Sequence, residues 1–257
     1  VTQIKGIDVS HHNGTVDWKK VAADGVKFVF LKASEGTTFV DKTFKTNAAN
    51  ARANGIRVGA YHYAKFGNVA EAKAEAQHFL RTVSGVKITY PLVLDLEENK
   101  KKASKVTLTD SAIVFLEAIE KAGYFAMIYA GKHFFETALD EKRLKPYALW
   151  IARYNSFLGR DAGIWQYTET GRVNGINGNV DMNWSFLDYA ALIEKMGKTT
   201  TTPPKEEKKL MKTEDANKII RILQDRWNAS TCQDEKKEMG RLADEVRVAA
   251  GMKKVNV

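Results

Sequence analysis

The sequence is nearly without cysteine: Cys232 stands alone among 257 residues. A single thiol can form no intrachain disulfide and points to no cysteine-based metal site, so it reads as inert. Long apolar runs are missing too. Nothing approaches the ~20 residues needed to span a bilayer, and Val1-Thr2-Gln3-Ile4-Lys5-Gly6 lacks a signal peptide's apolar stretch. The expectation is a chain made in the cytosol with no signal peptide and no membrane insertion. A concentrated stripe of charge is also absent. Net charge is +9, but residues 198–257 carry +4 and the remainder +5, which permits an anionic partner without marking a nucleic-acid surface. No H-x-x-x-H pair exists to hold a metal on a helix, and the adjacent His11 and His12 point to opposite sides of an extended chain. No cofactor or metal is implied.

What is present is a repeat. Gly25, Gly55, Gly85 and Gly123 each end a stretch of helical periodicity and each is followed by an apolar strand. Glycine is favoured just past a helix because it enters the left-handed region without a Cβ penalty. With the opening strand Gly6-Ile7-Asp8-Val9, the first half reads strand then helix four times and ends on a fifth strand. That alternation implies parallel strands with helical crossovers. Three further strands follow near residues 147–152, 163–167 and 180–184, the last ones too closely spaced for full helices. Residues 171–179, with Asn177-Gly178, read as a turn feeding the final strand. Eight strands can close, so the expected fold class is α/β: an irregular β/α barrel over residues 1–197, made of five βα units plus three short-linked strands and sealed by a helix near 186–196.

The strand Tyr90-Pro91-Leu92-Val93-Leu94-Asp95-Leu96-Glu97-Glu98 organises the rest. An apolar run suited to burial on both faces is interrupted by two acids, and strand alternation puts both carboxylates on one face with Cβ atoms roughly 6.5–7 Å apart. Adjacent carboxylates push their pKa values apart, one ionised and one raised toward neutrality. In a barrel, active groups gather at the carboxyl ends of the strands. There the sequence offers Asp8, Lys32 with Glu35, Tyr61 with Tyr63, Asp95 with Glu97, Tyr129, Arg153 with Tyr154, Trp165 to Tyr167, and Asp181. Acids among aromatic rings suit a carbohydrate, whose C–H faces pack on rings while its hydroxyls need acceptors.

Beyond residue 197 the composition shifts to threonine, proline and charge, a linker over 198–209. Residues 210–257 read as a small module of two amphipathic helices, with Ile219, Ile220, Leu223 and Trp227 on one face of the first and Met239, Leu242 and Val246 on the second. So thin a core is marginal alone.

Gly6-Ile7-Asp8-Val9-Ser10, Leu31-Lys32-Ala33-Ser34-Glu35-Gly36, Gly59-Ala60-Tyr61-His62-Tyr63, the Asp95–Glu97 pair, Leu149-Trp150-Ile151-Ala152, Trp165-Gln166-Tyr167-Thr168 and Val180-Asp181-Met182-Asn183 occur in order. On these motifs the sequence, over about residues 4–190, resembles the family 25 glycoside hydrolases, the Chalaropsis-type lysozymes common among phage endolysins. The resemblance implies a TIM-like barrel that cuts the β-1,4 bond between N-acetylmuramic acid and N-acetylglucosamine in bacterial peptidoglycan. It implies Glu97 as general acid, Asp95 as its partner, and Asp8 and Asp181 as further active-site acids. Tyr63, Tyr129, Trp150, Glu35 and Tyr61 are the implied substrate-binding residues. Asp95 would either steer the substrate's N-acetyl group onto its own anomeric carbon or serve as base for water. The C-terminal module resembles short helical segments that end endolysins, which implies attachment to a cell-wall polymer. The implied setting is the host cytoplasm, with release through a holin onto the wall. Readings from elsewhere are a chitinase-like barrel, which would demand aspartate where Val93 stands, a metal-dependent hydrolase using Asp8, His11 and His12, and a silent wall-binding protein.

Overall fold

The structure, a computed structural model, describes residues 3–197, 213–229 and 233–250 with positions 252, 253 and 255. It divides into two compact units, Val1–Pro203 and Pro204–Val257. The expected linker at 198–209 and Cys232 lie outside the described residues.

The first unit runs β1 (Ile4–Val9), α1 (Trp18–Ala23), β2 (Phe28–Glu35), β3 (Phe39–Val40), α2 (Phe44–Ala53), β4 (Arg57–Tyr63), α3 (Val69–Val83), β5 (Leu92–Asp95), α4 (Lys105–Lys121), β6 (Ala126–Gly131), α5 (Lys132–Ala138), α6 (Glu141–Leu144), β7 (Ala148–Ala152), β8 (Ile164–Gly171), β9 (Val180–Ser185) and α7 (Tyr189–Lys195). Around the barrel the order is β1-β9-β8-β7-β6-β5-β4-β2, and β2 pairs back to β1 to close it. The short β3 hangs antiparallel on the end of β2. The glycine repeat is realised: Gly25, Gly55, Gly85 and Gly123 take φ of 86, 78, 76 and 87°. Helix starts are capped by side-chain oxygens, with Asn68 accepting from the Glu71 amide and Ser104 from the Thr107 amide.

Three features depart from the sequence expectation. The short helices α5 and α6 fill the connection between β6 and β7, where the strand repeat had only loosened. The catalytic-looking strand stops at Asp95, so Glu97 stands two residues past its end. Most consequential, β9 pairs antiparallel with both β8 and β1. The glycine-rich 171–179 connection is too short for a crossover, and a strand that turns straight back must run antiparallel. Its amino end therefore reaches the rim where the other strands finish, and Asp181 faces Asp8 across the register.

Alternation sorts the side chains into two cores. Val29, Leu31, Val58, Leu92, Leu94, Ile128 and Ile151 face outward under the helices. Phe28, Phe30, Tyr90, Val93, Met127, Tyr129, Trp150 and Ile164 fill the barrel, joined by Tyr189 from α7, which closes the end opposite the rim. Phe28 stacks on Tyr90 at 4.7 Å and Phe30 on Trp150 at 4.5 Å. Such large rings fit because Gly6 and Gly59 face them: a Cβ on Gly59 would lie 2.5 Å from the Phe30 ring and 2.6 Å from the Pro91 carbonyl oxygen.

The second unit is a hairpin of α8 (Thr213–Ala229) and α9 (Gln233–Ala249). Its interior is small, with Ala216, Ile220 and Ala243 buried and Arg247 paired to Asp244 at 2.6 Å. Ile219 and Trp227, expected on the packed face, are exposed, and Lys236 lies over the Trp227 ring at 4.6 Å.

Because the Pro91 carbonyl is backbone and cannot swing away, Gly59→Ala is expected to destabilise the barrel by about 1–3 kcal/mol, the usual cost of overpacking. Denaturant unfolding measures it, and an unchanged midpoint would contradict this packing.

Candidate active site

Inward positions of successive strands deliver the site. Asp8 is the penultimate residue of β1, Lys32 and Tyr61 lie on β2 and β4, Asp95 ends β5, and Tyr129, Trp150 and Gln166 follow on β6, β7 and β8. Together with Tyr63, Glu97, Tyr154, Glu169 and Asp181 they line one cleft of about 370 Å³ at the barrel rim. Eight of the nine expected site residues line it: Asp8, Asp95, Glu97, Asp181, Tyr61, Tyr63, Tyr129 and Trp150. Glu35 is one contact removed, its carboxylate bonded to Lys32 at 2.6 Å and to Lys65 at 3.2 Å.

Two of the expected aromatics serve the floor more than the walls. Trp150 is 2% exposed and Tyr129 7%, and their polar atoms are turned to neighbours. The Trp150 indole N–H donates to Asn183 Oδ1 at 2.7 Å, and the Tyr129 hydroxyl donates to Gln166 Oε1 at 2.9 Å. Tyr154 adds a second hydroxyl to Gln166 Oε1 at 3.0 Å. With both amide oxygens so occupied, the amide nitrogens of Asn183 and Gln166 donate to Asp8 Oδ2 at 2.8 and 3.0 Å. Sequence reading gave Gln166 and Asn183 no role. Their inward register beside Asp8 and Asp181 is the signal that would have found them.

The carboxylates divide by depth. Asp95 is buried, and its Oδ1 has no hydrogen-bond partner. Burial lifts its pKa well above the ordinary value, and the charges of Glu97 and Asp8 add to the effect. Asp8 is raised by burial first and by Asp181 second, against the pull of its two amide donors. Asp181 is raised by burial first, with its hydrogen bond to Asp8 pulling the other way and the charge of Glu169 adding to the rise, so the two carboxyls titrate as a pair. Glu97 differs in being accessible. Its side chain stands exposed on the cleft wall, yet protein surrounds the carboxyl on enough sides to raise its pKa by desolvation, reinforced by Glu98 and Asp181 and opposed by Tyr63 and Lys32. A reachable carboxyl with a raised pKa beside deeper acids is an arrangement suited to general acid catalysis. His11, by contrast, is committed to Asp41 through its Nδ1 at 2.8 Å.

The sequence profile of the glycosyl hydrolases family 25 matches residues 7–176. The uncharacterized protein YegX of Escherichia coli (strain K12) is 37% identical over 190 residues, covering 70% of this chain and 68% of that one. Lysozyme M1 of Streptomyces globisporus is 33% identical over 199 residues, covering 70% and 67%. Among solved structures, the CTP1L endolysin is 34% identical with a TM-score of 0.68, covering 75% of this chain and 70% of that one. Profile, relatives and barrel agree: the chain belongs to glycosyl hydrolase family 25.

Proposed function

We propose that the cleft hydrolyses peptidoglycan at the β-1,4 bond following N-acetylmuramic acid, with Glu97 as general acid. The observation that carries the assignment is the pairing of accessible Glu97 with buried Asp95 in one cleft that Asp8 and Asp181 also line. Glu97 gives its proton to the leaving glycosidic oxygen as positive charge develops on the muramic acid ring. Asp95 Oδ1, buried without a partner, takes the N–H of the substrate's 2-acetamido group and turns its carbonyl oxygen onto the anomeric carbon. That breaks the glycosidic bond and closes a cyclic intermediate with inversion at the anomeric carbon. Water then opens it from the opposite face and inverts it again, so configuration is retained overall, and loses its proton to the Glu97 carboxylate, which restores the acid. Asp181, paired with Asp8 across the register, lies on the side of the cleft where its carboxylate form stabilises the cationic ring. Tyr61 and Tyr63 line the walls for the sugar faces, over a floor of Tyr129 and Trp150.

The second unit is proposed to hold a cell-wall polymer. Supporting this is a groove of about 270 Å³ between its helices, lined by Leu223, Gln224, Trp227, Asn228, Met239 and Arg247 among others, an aromatic ring with amides and a cation. The resulting role is that of an endolysin, kept in the host cytoplasm until a holin gives it access to the wall. Among the described residues no helix is long and apolar enough to cross a membrane.

Glu97→Gln is expected to fold normally and lose at least ~100-fold in release of muramic acid reducing ends from purified peptidoglycan. Normal release by a folded variant, or glucosamine reducing ends from the wild type, would reject the assignment. Asp95→Asn carries a stability signature. A carboxyl whose folded pKa is raised costs stability as pH climbs from its unfolded value through its folded one. The variant is therefore expected to melt higher than the wild type at pH 7, with the gap closing near pH 3; equal melting at pH 7 would contradict the burial of a strained charge. Deleting residues 210–257 is expected to spare hydrolysis of soluble muropeptide and weaken lysis of whole cells, and equal lysis of cells would remove the targeting role.

A further inference from the structure

Glu35 lies beside the cleft without lining it, and the backbone that puts it there is irregular. Strand β2 pairs with β4 in regular register as far as Lys32 opposite Tyr61, then resumes with Ser34 opposite His62, leaving Ala33 as an extra residue. A bulge of this kind re-aims the residues after it. Without it, Lys32 and Glu35, three apart, would point to opposite faces. With it, Ser34 turns outward to His62 Nδ1 at 2.8 Å, and Glu35 joins Lys32 on the inner side opposite Tyr63.

The consequence is a chain of alternating charges. Lys32 Nζ meets Glu35 Oε2 at 2.6 Å, Glu35 Oε1 meets Lys65 Nζ at 3.2 Å, and Lys65 meets Glu98 Oε1 at 3.1 Å, with Lys100 closing on Glu98 at 2.6 Å. Both inner ammoniums lie over the Tyr63 ring, Lys65 at 4.5 Å and Lys32 at 5.0 Å from its centroid. The Tyr63 hydroxyl lies between Glu97 and Glu98. Lys32 is itself a cleft residue, only 11% of its side chain exposed.

We propose that the Ala33 bulge builds this relay, Lys32–Glu35–Lys65–Glu98, to clamp Tyr63 and to set how firmly Glu97 holds its proton, with Glu35 a positioning residue rather than a substrate ligand. The proposal rests on Glu97 being the general acid. The groups facing Glu97 are Glu98 on its own segment, Asp95 on β5, Tyr63 on β4, Lys32 on β2, Asp181 on β9, Tyr129 on β6 and Tyr154 beyond β7. Lys32 is the cation in that set that lines the cleft, and Lys32 draws the Glu97 and Asp95 pKa values downward. Glu35 governs how much of that charge is felt. Partial neutralisation keeps the acid protonated at working pH while the lysines still hold the tyrosine in place.

The pH dependence of kcat on a soluble muropeptide tests this with opposed signs. Activity falls on the alkaline side as Glu97 loses its proton. Glu35→Gln leaves Lys32 without its carboxylate partner, with Lys65 still paired to Glu98, favours the Glu97 carboxylate, and is expected to move that limb down by about half a pH unit, on the order of one charge acting several ångströms away across a hydrated cleft. Lys32→Met removes a cation and is expected to move it up by a similar amount, while Glu35→Asp, which keeps the charge, returns the limb toward the wild-type position. Shifts in opposite directions support the relay. Unmoved limbs, or limbs moving together, overturn it, since a purely structural role would lower kcat or the melting temperature without a signed shift. Glu97→Gln runs beside them: if it stays active the general-acid assignment falls, whereas if it is inactive and the limbs do not oppose, the relay alone falls.

Discussion

Carboxylates deprived of water cannot all be charged at once, and this constraint governs the rim of the barrel. Asp8, Asp95, Glu97 and Asp181 share a cleft whose floor includes the buried rings of Tyr129 and Trp150, so each ionisation raises the cost of the next. All four are shifted upward, Asp8, Asp95 and Asp181 by burial among their neighbours and Glu97 by desolvation at a position a ligand can reach. Isolated at the surface, the same four side chains would be ordinary anions.

The scaffold supplies that shortage of water. Phe28, Phe30, Tyr90, Met127, Trp150 and Tyr189 fill the barrel from the far end up to the base of the cleft, and Gly6 and Gly59 give the rings room. At the top of this packing the interior becomes polar, and a chain of hydrogen bonds runs through it: Trp150 to Asn183, Tyr129 and Tyr154 to Gln166, both amides to Asp8. The amides cannot flip without losing those bonds, so Asp8 is fixed in direction. The buried Asp95 Oδ1, by contrast, has no hydrogen-bond partner.

Much of this was legible in the sequence. The Gly25, Gly55, Gly85 and Gly123 spacing exposes the βα units, and the rule that active groups gather at the carboxyl ends of barrel strands brings Asp8, Tyr61, Asp95 and Asp181 to one rim. What the sequence hid were departures from regularity. Glu97 was read as strand, but β5 ends at Asp95, which frees the acid to stand on the wall while its partner stays buried. The Ala33 bulge is invisible in Leu31-Lys32-Ala33-Ser34-Glu35, because one inserted residue changes register without changing composition. The direction of β9 could have been inferred from the short turn before it, and it explains how Asp181, near the start of its strand, reaches the same rim as Asp95 at the end of another. Gln166 and Asn183 went without a role because amides show no chemical signature until the acid they hold is located.

The account stands or falls on where the protons sit. Carboxyl-carbon NMR titration of 13C-labelled enzyme reads each Asp and Glu directly. At least one glutamate and two aspartates are predicted to titrate clearly above the ordinary values of about 4.3 and 3.9, with the raised glutamate resonance missing in the Glu97→Gln protein. If every carboxyl titrates at or below those ordinary values, the cleft does not hold a proton for the glycosidic oxygen and the central claim is wrong.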